Sequence, residues 1–187
     1  MCKKCSKFKV QGSNRNLELL NFELLNFKLF TRYLMAKLYL GLGSNLGDRK
    51  KNITDATMIC AALVGTLEAL SSLYETEPWG FSSPNKFLNA VICLETDKEP
   101  ELCLALAKGI EREMGRVYSC ADGYEDRVID IDILLYDDLI LQTETLSIPH
   151  PRMGERDFVL KPLAEIAPEL RHPVSGEKIE EMLVRVL

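Results

Sequence analysis

From residue 37 onwards, two spacings of apolar residues alternate along the chain. Short runs rich in Val, Ile, Leu and aromatic residues predict β-strands, and longer segments with apolar residues every three or four positions predict helices. These segments are the strands 37–42, 66–74, 87–95 and 128–136 and the helices 49–63 and 99–114. The order β-α-β-β-α-β predicts an α+β fold, a ferredoxin-like sandwich with an antiparallel or mixed sheet. Helices would cover one face of the sheet and leave the other face to hold a substrate.

Shorter elements follow the last of these strands. Residues 139–140 and 145–146 predict a small hairpin, and short helices are predicted at 152–157, 159–166 and 179–186. Gly65 and Gly115 follow the two long helices and are expected to end them, since glycine tolerates the backbone of a helix C-terminus. We therefore expect a single domain over residues 37–187, with short helices added at its C-terminal end.

Residues 1–34 differ in composition from the rest of the chain. They carry seven Lys and Arg against two acidic residues, whereas residues 35–187 carry sixteen against twenty-six, and they contain the repeat ELLNF at 18–22 and 23–27. Three interpretations stay open. Residues 1–34 are a leader that is disordered or is translated upstream of a natural start at Met35, or they are a transit peptide, or they contain a docking helix over 17–30. We favour the first.

Composition and charge narrow the class of protein. The sequence has no run of 18 apolar residues, so no membrane span is expected. The net charge of −5 argues against a general nucleic-acid-binding protein. The six cysteines lack the spacing of a disulfide framework, so we expect most of them to be reduced thiols in a cytoplasmic protein. We also expect a monomer. Cys2 and Cys5 form a lone CxxC pair, for which a zinc or redox role stays open.

Asp130 and Asp132 are the first candidates for chemistry. They lie two apart in a predicted strand, so both side chains point to one face, about 6–7 Å apart along the backbone. Two like charges so placed repel each other, and a bound cation would relieve the repulsion. Hard oxygen ligands suit Mg²⁺, which commonly binds one or two carboxylates and the phosphates of a substrate. The alternative is two surface charges on an edge strand, although the intervening isoleucines indicate that the opposite face is buried.

An aromatic residue and an amide upstream suggest a flat ligand. Residues 75–85 form a long loop with two prolines and the only tryptophan, Trp79, and long loops in compact domains are commonly functional. The next strand places Phe87 and Asn89 on one face, where an aromatic plane could stack on a heterocycle and an amide could bind its edge. The alternative is a core phenylalanine and a turn-facing asparagine.

Residues 41–47 (GLGSNLG) predict either a tight turn before a helix or an anion site at the start of that helix.

Several arginines lie near the aspartate pair in the sequence. Arg116 follows the second long helix, Arg127 precedes the pair, and Arg152 and Arg156 follow residues 148–151. Solvent-exposed arginines are the ordinary alternative, but arginines beside a carboxylate–metal pair are suited to bind phosphate through paired hydrogen bonds. His150, held between two prolines, is either a turn residue or a phosphate donor.

Taken together, these segments resemble the 6-hydroxymethyl-7,8-dihydropterin pyrophosphokinase family. Six motifs carry the resemblance in the order of the family: 40–47 (LGLGSNLG), 74–80 (YETEPWG), 87–90 (FLNA), 111–116 (EREMGR), 126–133 (DRVIDIDI) and 148–158 (IPHPRMGERDF). The resemblance covers residue 37 to the end, and residues 1–34 have no counterpart. Tyr118 departs from the family, which often has a basic residue there, and so do Glu77 and Asp126, where proline is common.

The resemblance implies an ATP-dependent pyrophosphokinase of folate biosynthesis, which transfers the β,γ-diphosphate of ATP to the hydroxymethyl group of the pterin and releases AMP. It implies two Mg²⁺ ions bound by Asp130 and Asp132, with Arg116 and Arg127 stabilising the migrating charge. The other residues that it implies hold the ATP phosphates (His150, Arg156), line the adenosine site (Glu111, Ile133) or line the pterin site (Thr76, Trp79, Phe87, Asn89, Phe158). The loop after the first strand and the loops at 79–86 and 118–125 would close over ATP.

Two other functions stay open on the sequence. A nucleotide- or pterin-binding module without catalysis would be expected to have lost the aspartate pair or the arginines, and both are intact. A Mg²⁺-dependent phosphohydrolase would use the same carboxylates but has no need for the paired aromatics Phe87 and Phe158.

Overall fold

The computed structural model describes residues 35–116 and 125–187. Its elements in chain order are β1 (Ala36–Ser44), α1 (Arg49–Leu63), β2 (Thr66–Leu70), β3 (Tyr74–Thr76), β4 (Phe87–Thr96), α2 (Pro100–Glu113), β5 (Asp130–Tyr136), β6 (Leu141–Gln142), β7 (Ser147–Ile148), a 3₁₀ helix (Met153–Glu155), α3 (Asp157–Ile166) and α4 (Ile179–Val186). The predictions for residues 1–34, for Tyr118 and for most of the loop 118–125 lie outside the described residues. Within the described ranges, no helix has the length and hydropathy needed to cross a bilayer.

A five-stranded antiparallel sheet forms the centre of the fold. The strand order is β2-β4-β1-β5, and β3 also pairs with β4. Every paired neighbour in this sheet is antiparallel. This order and the two helical connections α1 and α2 are those of a βαββαβ sandwich, so the predicted α+β fold is confirmed.

Most elements begin and end within a few residues of the prediction, and the differences have tertiary causes. The predicted strand 66–74 is two strands, because Ser71 turns its hydroxyl to accept a hydrogen bond from the Val91 amide at 3.0 Å. The hairpin β6–β7 lies two residues later than predicted, and the helix predicted at 152–157 is only the 3₁₀ turn. Helix α1 has the predicted range and is capped by Asp48, whose carboxylate accepts from the Lys51 amide at 3.0 Å.

The two glycines expected to end the long helices behave differently. Gly115 follows α2 with a φ of 92°, the left-handed conformation predicted for a helix end. The prediction for Gly65 is wrong, because Val64 is the cap residue of α1 and Gly65, unlike Gly115, does not have a left-handed φ. A Cβ at Gly65 would collide with the Glu95 carbonyl oxygen, so glycine is needed there for the close approach of the α1–β2 connection to β4.

Two apolar clusters pack against the two faces of the sheet. Helices α1 and α2 cover one face, where Ile53 and Ala107 pack against a cluster that includes Leu40 and Ile131. Helices α3 and α4 cover part of the other face, where Leu160 belongs to the second cluster. The expectation that this second face is entirely free is therefore corrected: in the described part of the chain, the face is open as a cleft over the C-terminal half of β1.

Candidate active site

The open part of the second sheet face is a cleft of about 600 Å³, including space open to solvent. Nine of the thirteen predicted site residues line it. Five belong to the predicted pterin site: Thr76, Trp79, Phe87, Asn89 and Phe158. The other four are charged: Arg127, Asp130, Asp132 and Arg156. Residues from four separate segments of the chain, 76–79, 87–89, 127–132 and 156–158, therefore meet in one place.

The register of three strands builds the floor of the cleft. Gly43 of β1 pairs with Asn89 of β4 on one side and with Asp130 of β5 on the other. With strands about 4.8 Å apart, the Asn89 and Asp130 backbones stand ~10 Å apart across Gly43. A Cβ at Gly43 would lie 3.1 Å from Asn89 Oδ1, so glycine keeps this row open. Gly41 lies in β1 as the predicted strand 37–42 implies, but the predicted turn from residue 43 is wrong for Gly43, which also lies in β1.

The aromatic half of the cleft contains the predicted amide and aromatic side chains. Asn89 Nδ2 donates to Thr76 Oγ1 at 2.9 Å, which fixes the orientation of the Asn89 amide. The Trp79 and Phe158 rings meet edge to face with centroids 6.4 Å apart. Phe81, which the sequence interpretation missed, contacts Phe87 in the same manner at 6.2 Å. The only sequence feature that could have indicated Phe81 is that it is aromatic and lies two positions after Trp79.

The two aspartates in the charged half have opposite environments. Asp130 bonds Arg127 Nη2 at 2.6 Å through one oxygen and Arg116 Nη1 through the other. Burial opposes its ionisation, but the charges of Arg127 and Arg116 outweigh burial and lower the pKa of Asp130. Among the described residues, the ion pair of Asp132 is a long one of 3.8 Å with Arg156 Nη1. Burial, and then the charge of Asp130, raise the pKa of Asp132 to about 6.

This donor set fits a magnesium ion that also binds a substrate. Among residues 35–116 and 125–187, no group of three or more His, Cys, Asp or Glu side chains could hold a metal ion by itself. Asp132 nevertheless lies beside the charge of Asp130 and 3.8 Å from Arg156 Nη1, so its negative charge is incompletely balanced. Mg²⁺ keeps several waters and usually binds one or two carboxylates plus phosphates, which is what this pair can offer.

Arginines connect the two halves of the cleft. The guanidinium of Arg127, which bonds Asp130, lies 4.9 Å from the centroid of the Phe87 ring. The guanidinium of Arg156, which pairs with Asp132, lies 4.7 Å from the Trp79 ring. Within the described chain, Nε of Arg127 is buried and has no hydrogen-bond acceptor. A buried donor without an acceptor is costly, so an anionic ligand at this point would be stabilised.

Three of the predicted residues outside the cleft lie behind it, in the packing that supports Asp130. Glu111 is fully buried and accepts from the Ile131 amide at 2.7 Å and from Arg116 Nη1 at 2.8 Å. Arg116 therefore bridges Glu111 and Asp130. Ile133 is 3% exposed and belongs to the core against α1 and α2. The ATP-related roles of Glu111, Arg116 and Ile133 stay predictions.

His150 is the fourth predicted residue that does not line the cleft. Its Nδ1 accepts from the Arg152 amide at 3.2 Å. Burial, and then the charge of Arg156, lower the pKa of His150 to about 4. The ring is therefore neutral at pH 7 with its proton on Nε2, which leaves Nε2–H as a donor. Its predicted phosphate contact stays a prediction.

Fold and cleft together define an α+β protein with room for a flat ring beside a cation and phosphates. The model of the 7,8-dihydro-6-hydroxymethylpterin-pyrophosphokinase (HPPK) family matches residues 39–168. The chain belongs to this family, so the predicted family and enzyme class are confirmed.

Relatives and solved structures agree with this assignment. A 2-amino-4-hydroxy-6-hydroxymethyldihydropteridine pyrophosphokinase of Porphyromonas gingivalis is 50% identical over 141 residues, which are 74% of this chain and 95% of the relative. One from Aquifex aeolicus is 41% identical over 147 residues, 79% of this chain and 90% of the relative. A Plasmodium falciparum HPPK-DHPS structure with pteroate has a TM-score of 0.65 at 18% identity; the match covers 81% of this chain and 42% of that chain, and it supports the fold alone.

Proposed function

We propose that this chain transfers the β,γ-diphosphate of ATP to the hydroxymethyl group of 6-hydroxymethyl-7,8-dihydropterin, releasing AMP, as a step of folate biosynthesis. One observation carries the proposal: Arg127 and Arg156 each contact an aspartate and an aromatic ring of the same cleft. A ring-binding half and a phosphate-binding half are thus adjacent. The names of the relatives at 50% and 41% identity support the same reaction.

The aromatic half would hold the pterin. Asn89 and Thr76 offer an oriented amide and a hydroxyl to the donors and acceptors at the edge of the ring. Phe87, Phe158 and Trp79 offer aromatic surface for its faces. A ring bound at Asn89 and lying over Gly43 would reach towards Asp130, a distance of ~10 Å. The hydroxymethyl group would then meet the phosphates at the charged end of the cleft.

The charged half would hold the triphosphate. Asp130 and Asp132 are the residues that would bind Mg²⁺, two ions by the family resemblance, and the metal would neutralise phosphate charge and lower the pKa of the attacking hydroxyl group. Arg127, Arg156 and the neutral His150 would donate to phosphate oxygens. Phosphoryl-type transfer needs positioning and charge stabilisation more than covalent catalysis, and these side chains provide both.

The test is the identity of the nucleotide product. The protein is incubated with ATP, Mg²⁺ and 6-hydroxymethyl-7,8-dihydropterin, and we expect AMP that forms only when the pterin is present. EDTA should stop the reaction and excess Mg²⁺ should restore it. ADP as the product, or phosphate release without the pterin, would contradict the proposal.

A matched pair of variants links the activity to the cleft. Asp130→Ala should lose at least about a hundredfold in kcat, because it removes a metal ligand and leaves two arginines without their shared partner. Asp97→Ala is the control, since Asp97 is exposed and pairs only with Lys98 among the described residues. Circular dichroism of both variants verifies that the fold is retained.

A further inference from the structure

Asp126 connects three segments of the chain at the edge of the cleft. One of its carboxylate oxygens accepts from Asn45 Nδ2 and the other from Asn85 Nδ2, both at 2.6 Å. Asn45 lies between β1 and α1, Asn85 lies in the loop before β4, and Asp126 lies in the segment before β5. Charge-assisted hydrogen bonds of this kind are stronger than neutral ones, so Asp126 holds the three segments together.

Asn45 carries this connection to the backbone of Arg127. Asn45 is 3% exposed, and its Oδ1 accepts from the Arg127 amide at 2.7 Å. The backbone N–H of Asn45 donates to the Arg127 carbonyl oxygen at 3.1 Å. The oxygen of the Asn45 side chain can point at Arg127 only while its NH₂ group points the other way, towards an acceptor. Asp126 is the close acceptor there; the Asn85 carbonyl lies farther away, at 3.4 Å.

Arg127 benefits from a fixed backbone because its side chain spans both halves of the cleft. It bonds Asp130 at 2.6 Å and lies over Phe87. An arginine side chain loses up to about 2 kcal/mol of conformational freedom when it is ordered. A backbone held at both N–H and C=O leaves only the side-chain torsions to be ordered during the reaction.

We propose that Asp126 is a positioning residue of this enzyme, which orients Asn45, and through Asn45 places Arg127 against the migrating phosphates. The proposal deepens the proposed function and rests on it for the role of Arg127. Asp126 itself does not line the cleft, so it acts through its hydrogen bonds and not through contact with a substrate.

Two substitutions separate the hydrogen bonds of Asp126 from its charge. Asp126→Ala removes both acceptors, and we expect kcat to fall about tenfold. Asp126→Asn can retain both bonds, because Asn85 can turn its amide and present its oxygen to the new NH₂ group. We expect this variant, like Asp97→Ala, to stay within about twofold of wild type. A wild-type rate in Asp126→Ala, or an equal loss in both Asp126 variants, would overturn the proposal.

Combination with Arg127→Ala tests whether the effect passes through Arg127. If Asp126 acts by placing this arginine, adding Asp126→Ala to Arg127→Ala should lower kcat no further. A second tenfold loss would show an independent role and contradict the proposal.

Amide hydrogen exchange tests the positioning without any activity. In the NMR spectrum, the Arg127 amide should exchange at least about tenfold faster in Asp126→Ala than in wild type and stay protected in Asp126→Asn. Unchanged exchange in Asp126→Ala would overturn the proposal even if the protein has another activity. Absence of pterin-dependent AMP from wild type, by contrast, would contradict the proposed function and leave this structural outcome intact.

Discussion

At the scale of single residues, Asp130 and Asp132 show how one strand face can hold two carboxylates with different tasks. Asp130 is balanced by Arg127 and Arg116 and keeps its charge, with a lowered pKa. Asp132 is poorly balanced, and its pKa is raised to about 6. The uncompensated charge faces the cleft. The ionised Asp132 therefore destabilises the unliganded fold at the point where a cation and phosphates would bind.

Asp132→Asn should stabilise the unliganded protein and abolish turnover. Because the folded-state pKa of about 6 is above the ordinary value of 3.8, ionised Asp132 destabilises the fold above pH 6, and this effect disappears as the pH falls from 6 to 3.8. We expect a gain in the free energy of unfolding of about 1 kcal/mol at pH 7.5, allowing for solvent screening, and little at pH 4. Urea titrations at both pH values measure it; a less stable variant at pH 7.5 would refute the argument.

At the scale of elements, β1 and α2 determine the geometry of the site. Gly41 and Gly43 leave the middle strand without side chains between Asn89 and the aspartates. Helix α2 is joined to β5 by Glu111, whose single oxygen Oε1 accepts from Ile131, Arg116 and Lys108. The first element makes room for a ligand, and the second holds Asp130 and Arg116 in place.

Gly43→Ala should weaken pterin binding by about tenfold, because the added methyl group would press on Asn89 Oδ1 and narrow the floor. Trp79, the only tryptophan of the chain, provides a fluorescence signal for the titration. The control is Gly109→Ala in α2, where the nearest atom to a new Cβ is 4.0 Å away. This control should bind normally and gain about 0.5–1 kcal/mol in stability. Equal pterin affinity of Gly43→Ala and wild type would contradict the role of Gly43 in keeping the floor of the cleft open.

Glu111→Gln should destabilise the protein by about 2–3 kcal/mol, because a buried carboxylate that accepts from two cations and a backbone amide is lost. Glu113→Gln, on an exposed position of the same helix, should change stability by less than about 0.5 kcal/mol. Urea unfolding compares the two. If stability is unchanged in Glu111→Gln and only the KM for ATP rises, Glu111 is an ATP contact and not an anchor.

At the scale of the whole molecule, we propose that residues 37–187 form one domain. Both apolar clusters of the described chain are drawn from residues between Leu38 and Val186. The family match over 39–168 falls in the same part. Strand β1 lies between β4 and β5, so its integrity is decisive for the sheet.

A protein that starts at Met35 should therefore have the melting temperature and kcat of the full chain. A protein that starts at Leu42 is the matched control, because it lacks most of β1 and should not unfold cooperatively. Differential scanning calorimetry and the AMP assay compare the three proteins. A loss of activity on removal of residues 1–34 alone would show that the leader contributes to the function.

Local patterns in the sequence were sufficient to predict most of the elements and the family. Helices α1 and α4 have the predicted bounds, because helical periodicity and turn signals depend on residues close together in the chain. The order of the six motifs was sufficient to indicate the enzyme class, and nine predicted residues line one cleft.

How distant segments of the chain meet follows from three-dimensional packing and was not predictable from local patterns. The open row at Gly43, the burial of Glu111, the covering of the second face by α3 and α4, and the bonds of Asp126 all depend on contacts across the fold. Asn45 and Asp126, for instance, are 81 residues apart. Strand register and side-chain environment arise from packing between such segments, and no local pattern specifies them.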